Sequence, residues 1–463
     1  MPRVWLMEKQ HMCSNADSSR HRANSLRWCL FAAVLVIAGC ASNQPYGINL
    51  MPAPDIYALG DIDPFEWLDP AVTPPYQGIL YATDRAPSDN GLSFYQNKRG
   101  NVVRMGVGYL ESGMEDFSWE EARKVSLAKN RPDNYPIRVK GVDEFGILDR
   151  SITAFTDSGL VGIDLEKPRE QFIGLINEKL AMSKNKDIYI YIHGYKVGFE
   201  NPLLVSAELW HFLGYDGVMI AYAWPSTPKT LAYVSDLESA AFSSHFLKEF
   251  IEVLAEASNA ENIHLIAYSA GTRVAIGALY QMALLNDCHE KETVREKLRI
   301  GHVMLTGSDF GRQLFAAYMY NGLLNVSRQM TVYMSQTDQA MGVSRWLFNR
   351  ERLGSMWQEG ELDQRGIDFL NRFDNFNLIN VTAAEGAATG NGHAYFRNSP
   401  WVSSDILMTL MYDLTPEQRG LVRSAKSPVW HFPEDYMERL THSLETTNLI
   451  HPDQLSPDPV APQ

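Results

Sequence analysis

Ser269 stands at the apex of Ile263-His264-Leu265-Ile266-Ala267-Tyr268-Ser269-Ala270-Gly271, a largely apolar, strand-like run that passes directly into the helical pattern Thr272-Arg273-Val274-Ala275-Ile276-Gly277. A strand, a sharp turn and a helix present a serine hydroxyl on a strained backbone at a helix N-terminus, the setting of a nucleophile elbow. The neighbours must be small so that strand and helix can approach, and Ala267 and Gly271 meet that need. Ala267 replaces the first glycine of G-x-S-x-G. Because A-x-S-x-G alone is common by chance, and a serine here can also be a simple helix cap, partner residues decide the reading.

Partners are present in order. Asp187 to Ile192 reads as a strand ending in His193-Gly194-Tyr195, the position from which a loop donates one backbone N–H to a developing oxyanion. The expected pair of oxyanion donors is the Tyr195 N–H and the Ala270 N–H, with His193 shaping the loop. In folds built on such an elbow the chain order is serine, acid, histidine. His289 and His302 follow Ser269 too closely to lie beyond an acid, and His431, between Trp430 and Phe432, reads as packed. His393, in Asn391-Gly392-His393-Ala394-Tyr395, sits on a glycine-containing loop just after a candidate last strand and is the expected general base. Thr331 to Ser335 reads as a strand followed by Gln336-Thr337-Asp338, making Asp338 the expected acid that orients the imidazole. Asp309, in Thr306-Gly307-Ser308-Asp309 one strand earlier, is the open alternative acid.

These residues must be held by a sheet. Short apolar runs at Ile79 to Thr83, Val102 to Val107, Ile188 to Ile192, Val218 to Ala223, Ile263 to Ala267, His302 to Thr306, Thr331 to Ser335 and, more weakly, Leu378 to Val381 alternate with helical patterns. This predicts an α/β fold: a mainly parallel central sheet covered by helices on both faces, with ligands at the strand C-termini. Helices are expected from Asn201-Pro202, as cap and first residue, over about Leu231 to Glu256, and after Ser269. The domain is expected over 78–450. Residues 40–77, rich in proline, read as a semi-extended tether, and 451–463 as a disordered tail.

The N-terminus reads as an address. Arg20, Arg22 and Arg27 precede an apolar run from Trp28 to Ala38, a secretory signal over 1–39 too short to span a bilayer comfortably. Val36-Ile37-Ala38-Gly39-Cys40 resembles a bacterial lipobox, which implies acylation of Cys40. Ala41, in place of the aspartate that marks inner-membrane retention, implies delivery to the outer membrane, facing the periplasm. A composition of 45% hydrophobic and 21% charged residues excludes a disordered chain and a multi-span membrane protein. The formal charge of −14, without a basic stripe, argues against nucleic acid as a partner. No histidine pair has the H-E-x-x-H spacing, and neither a phosphate loop nor a dinucleotide fingerprint occurs, so neither metal nor cofactor is expected.

Taken together, Tyr81-Ala82-Thr83-Asp84-Arg85, His193-Gly194-Tyr195, Trp224-Pro225-Ser226, Ala267 to Gly271, Ser335 to Asp338 and Gly392-His393 resemble the bacterial α/β-hydrolase domain-of-unknown-function 900 family, over about residues 78 to 412. The family pattern near the serine reads histidine, serine, methionine, glycine, where this chain has Tyr268, Ser269, Ala270 and Gly271. The resemblance implies an α/β-hydrolase fold and an esterase or lipase-like activity on an acyl ester through Ser269, Asp338 and His393. The competing expectation is a catalytically silent envelope protein that uses the same fold to bind a lipid or protein.

Overall fold

The computed structural model describes residues 47–449 apart from 59–61, 69–77, 90–92, 113–118, 130, 132–133, 155, 157–164, 230–231, 358–361, 424–426 and 448. Residues 1–39, read as a signal, Cys40, and residues 451–463, read as a tail, lie outside the described residues. Eleven described strands form one sheet: β1 (Gly47–Asn49), β2 (Ile79–Pro87), β3 (Tyr95–Ser112), β4 (Pro136–Ile147), β5 (Asp187–Ile192), β6 (Val218–Tyr222), β7 (Asn262–Tyr268), β8 (Ile300–Thr306), β9 (Ser327–Met334), β10 (Phe376–Asn380) and β11 (Val429–His431). Their order is β1-β4-β3-β2-β6-β5-β7-β8-β9-β10-β11. From β2 to β11 every neighbouring pair is parallel. At the other edge β3, β4 and β1 add on as an antiparallel meander.

Two-faced burial explains why the central strands read as apolar runs. Side chains alternate along a strand, so Ile188, Ile190 and Ile192 of β5 enter one core while Tyr189 and Tyr191 enter the other. The same division separates Val218, Ile220 and Tyr222 from Met219 and Ala221 on β6. The first core is closed by the helices Glu166–Met182, Tyr233–Ala257 and Gly271–Leu285, the second by Glu200–Phe212 and Pro400–Tyr412. Because β5 lies between β6 and β7, the chain reverses its direction of winding there. The crevice at the C-terminal ends of β5 and β7 is therefore the natural place for a ligand.

Three expectations change. Residues 40–77 are not a tether over their described part: Gly47–Asn49 pairs with β4, and Met51, Ala53, Ile56, Tyr57 and Phe65 are buried in the second core. Trp67 donates its indole N–H to the Gly214 carbonyl at 3.0 Å, while Tyr76 lies outside the described residues. The helix expected to start at Pro202 begins at Glu200, with Asn201 and Pro202 inside its first turn, where a missing N–H costs nothing. Strands β1, β4 and β11 were not expected at all. Met356, Trp357, Phe369 and Leu370 are half-buried against the first core.

Candidate active site

Ser269 is forced into the left-handed region, with φ of 52°. A side chain there is disfavoured, and the surroundings must hold it. Its N–H donates to the Thr306 carbonyl of β8 at 2.9 Å, and its own carbonyl accepts the Thr272 N–H at 3.1 Å and the Thr272 hydroxyl at 2.6 Å. The helix Gly271–Leu285 starts hard against the end of β5: a Cβ on Gly271 would lie 2.3 Å from the His193 carbonyl oxygen, so no larger residue fits that approach. The turn thus leaves the serine hydroxyl aimed away from the sheet, with the residue only 8% exposed.

The hydroxyl meets His393. Ser269 Oγ lies 2.8 Å from Nε2 of the imidazole, and Nδ1 of the same ring lies 2.7 Å from Asp338 Oδ2. Three residues spread over 124 positions of chain are thereby joined in one continuous relay. Asp338 is held by its second oxygen: Oδ1 accepts the Met341 N–H at 3.1 Å and caps the helix Gln339–Phe348. One carboxylate therefore terminates a helix and orients an imidazole. The Tyr268 ring, at the position where the family pattern carries histidine, lies against His393 with centroids 4.9 Å apart. Burial holds its phenol well above the ordinary range, so it is neutral.

Asp309 is placed elsewhere. Its carboxylate accepts from Arg273 Nε at 3.1 Å, faces Arg352 Nε at 3.4 Å and takes the hydroxyls of Tyr233 and Ser344. It is the hub of an ion-pair cluster beside the elbow, and only its backbone N–H touches Ser269, at the carbonyl, 3.4 Å away. Asp338 is the acid that the structure brings to His393; Asp309 is not.

On the opposite side, His193-Gly194-Tyr195 leaves the end of β5 and passes the serine so closely that a Cβ on Gly194 would lie 2.9 Å from Ser269 Cβ. The His193 ring is fully buried, stacked on Trp224 at 5.2 Å, with Nδ1 2.7 Å from the Gly194 carbonyl and Nε2 3.0 Å from the Trp224 carbonyl. Burial, helped by the nearby Arg85 charge, pulls its pKa down to about 3, so the ring is neutral and donates from one nitrogen only. Trp224 returns its indole N–H to the His193 carbonyl at 2.7 Å. Sequence reasoning expected His193 to shape this loop, and its contacts are of that kind. It missed Tyr233, whose ring meets the Tyr195 ring edge-on at 5.0 Å. No spacing signal marks Tyr233, because it comes from the start of the helix Tyr233–Ala257, beyond the neighbouring strand β6.

A nucleophilic hydroxyl hydrogen-bonded to an imidazole, with a carboxylate on the far nitrogen, can accept and return a proton during acyl transfer. His431, read as packed, lies on β11 with Nδ1 3.2 Å from Asn380 Nδ2, away from the relay.

No curated protein matches the chain. Among solved structures, a lipase-esterase related protein from Clostridium acetobutylicum ATCC 824 is similar at 14% identity over 58% of this chain and 96% of that one, with a TM-score of 0.21. A family model described as an alpha/beta hydrolase of unknown function (DUF900) matches residues 169–410, a span that includes the elbow, Asp338 and His393. On that match, and on a parallel sheet with the elbow at its switch point, the chain belongs to the alpha/beta hydrolases of unknown function (DUF900).

Proposed function

We propose that this hydrolase is a serine hydrolase that cleaves an acyl ester, with Ser269 as nucleophile, His393 as general base and acid, and Asp338 as the orienting carboxylate. The observation that carries the reading is the relay of 2.8 and 2.7 Å between these three side chains, delivered to a serine on a left-handed turn. Each contact has a use in acyl transfer. His393 Nε2 takes the proton of the Ser269 hydroxyl as Oγ attacks the ester carbon, and Asp338 stabilises the imidazolium that forms. The carbonyl oxygen becomes an oxyanion held by the backbone N–H groups of Ala270 and Tyr195; each such donor is worth roughly 2.7–4 kcal/mol in a measured serine-protease case. Collapse expels the alcohol, which takes the proton from His393. Water then attacks the acyl-serine, with His393 again as base, and releases the acid.

Retention of all three side chains in bonding geometry favours catalysis over a silent binding role. The resemblance of Val36-Ile37-Ala38-Gly39-Cys40 to a lipobox supports an acyl-anchored protein of the cell envelope, facing the periplasm on the outer membrane.

The test compares wild type lacking residues 1–40 with Ser269→Ala for fluorophosphonate labelling and for hydrolysis of short and long chromogenic esters. Labelling and turnover in the wild type, both lost in the variant, are expected; a folded wild type that does neither would move the reading to a binding protein. For the anchor, Cys40→Ser should abolish incorporation of labelled palmitate in cells and release the protein from the membrane fraction.

A further inference from the structure

Arg85 ends Tyr81-Ala82-Thr83-Asp84-Arg85 near the C-terminal end of β2, and the relay gives this motif no role. Its side chain is fully buried. A buried guanidinium is unfavourable unless its donors and its charge are answered. Asp84, Glu200 and Asp236 answer the charge, and although burial draws the pKa down to about 10, the group stays cationic at neutral pH.

Its donors point at the two segments that frame the oxyanion loop. Nη2 donates to the Val197 carbonyl at 3.1 Å, two residues beyond Tyr195. Nη1 donates to the Ser226 carbonyl at 3.3 Å and to Asn97 Oδ1 at 2.5 Å. Ser226 in turn accepts the Lys196 N–H on its hydroxyl at 2.9 Å. Lys196, immediately after Tyr195, is another non-glycine residue in the left-handed region, with φ of 69°. A conformation of that kind persists only when its surroundings over-determine it. The near end of the loop is fixed by His193 and Trp224, the far end by Ser226, and Arg85 spans Val197 and Ser226 from behind.

We propose that Arg85 is a positioning residue for the oxyanion loop: by holding the Val197 and Ser226 carbonyls together it keeps the strained Lys196 turn, and with it the Tyr195 N–H, aimed at the developing oxyanion. The inference rests on the serine-hydrolase reading, since it requires the Tyr195 N–H to act as an oxyanion donor. Charge alone does not suffice, because a lysine ammonium lacks the planar fork that reaches two carbonyls at once.

The experiment uses the whole chain and measures kcat and KM on a short chromogenic ester, thermal stability, and inhibition by a trifluoromethyl ketone, whose hemiketal oxyanion on Ser269 needs the same donors. Arg85→Gln should lower kcat about 10²-fold with KM within about threefold, and weaken ketone binding in proportion to kcat/KM. Arg85→Lys and Ser226→Ala should each cost about tenfold in kcat. Leu440→Ala, in the second core on the separate helix Tyr436–Thr446, should lower thermal stability with kcat intact, which separates positioning from general loosening. A folded Arg85→Gln protein with wild-type kcat and ketone affinity overturns the proposal. Where Arg85 variants do not fold, an unchanged kcat in Ser226→Ala overturns it. Wild-type turnover that survives Ser269→Ala overturns the underlying reading as well, whereas Ser269-dependent turnover that is indifferent to Arg85 and Ser226 overturns this inference alone.

Discussion

Asn391 binds Gln339: the carbonyl of the first accepts the N–H of the second at 3.1 Å, and Asn391 Oδ1 also accepts the His393 N–H at 3.2 Å. The loop that carries the imidazole is thus tied to the first turn of the helix that Asp338 caps. His393 and Asp338 are therefore joined through backbone as well as side chain, although 55 positions separate them.

The two aspartates weighed for the acid role should separate cleanly. Asparagine keeps the helix cap at 338 but cannot steady an imidazolium, so Asp338→Asn should lower kcat by about 10³ to 10⁴-fold with little change in melting temperature. Asp309→Asn leaves Arg273 and Arg352 without their shared carboxylate, and should cost about 3 kcal/mol of stability while kcat falls only several-fold. Denaturant unfolding and ester kinetics on the same two preparations check both. Equal kinetic losses would return Asp309 to the relay.

Gly307 sets the floor under the imidazole. Its φ is +54°, and a Cβ there would lie 2.9 Å from His393 Cε1. Gly307→Ala should displace the ring, lowering kcat by about 10 to 10²-fold, and should destabilise the fold by about 1–2 kcal/mol through the left-handed backbone. Pre-steady-state acylation is the sharper measurement, because a displaced base slows the first proton transfer. An alanine variant that acylates at the wild-type rate would show that the ring has room.

His211, on the helix Glu200–Phe212, should contribute to loss of stability in acid. The ring is buried among Phe65, Phe212 and Tyr215, and Nδ1 lies 2.8 Å from the Tyr215 hydroxyl. Burial, with a smaller contribution from the Arg131 charge, pulls its pKa from 6.5 to about 3. The folded-state value is the depressed one, so the contribution to stability is complete above pH 6.5 and is lost as pH falls towards 3, where the unfolded chain takes up a proton that the folded chain refuses. His211→Asn should therefore show a smaller drop in melting temperature between about pH 7 and pH 4.5 than wild type does, even if it starts lower. Parallel curves would assign the acid limb to other groups.

Much of this architecture is legible in the sequence because doubly covered parallel strands are written in uninterrupted apolar residues: β5 to β9 could be read from Ile188, Val218, Ile263, His302 and Thr331 onward. The strands that escaped reading are those with a different chemistry. β4 carries Arg138, Lys140, Asp143 and Glu144 and is mostly half-exposed, so no apolar period marks it. β11 is three residues long, and β1 is paired only at an edge. Met51, Ile56 and Phe65 are buried by distant partners rather than by any pattern of their own, and the prolines around them read as a linker. In the site, the candidacy of Ser269, Asp338 and His393 follows from motif and order, with Asp309 left open beside Asp338. The fate of Asp309 does not, because two arginines from separate segments, 273 and 352, claim it. Nor does the reach of Arg85, whose acceptors are carbonyls that carry no side-chain signal.

The placement of β2 also has a consequence for where this protein can be cut. The family match starts at residue 169, yet β6 is hydrogen-bonded along its outer side to Leu80, Tyr81 and Ala82 of β2. A chain begun at the family boundary would turn β6 into a raw edge, with a row of unsatisfied amides and carbonyls beside a stripped apolar face, a template for intermolecular pairing. Residues 169–463 expressed alone should form aggregates that bind thioflavin, while 47–463 stays dispersed. Shuffling or fusing this hydrolase at its family border would therefore inherit a sticky half-sheet, and a graft intended to travel intact has to begin no later than Gly47.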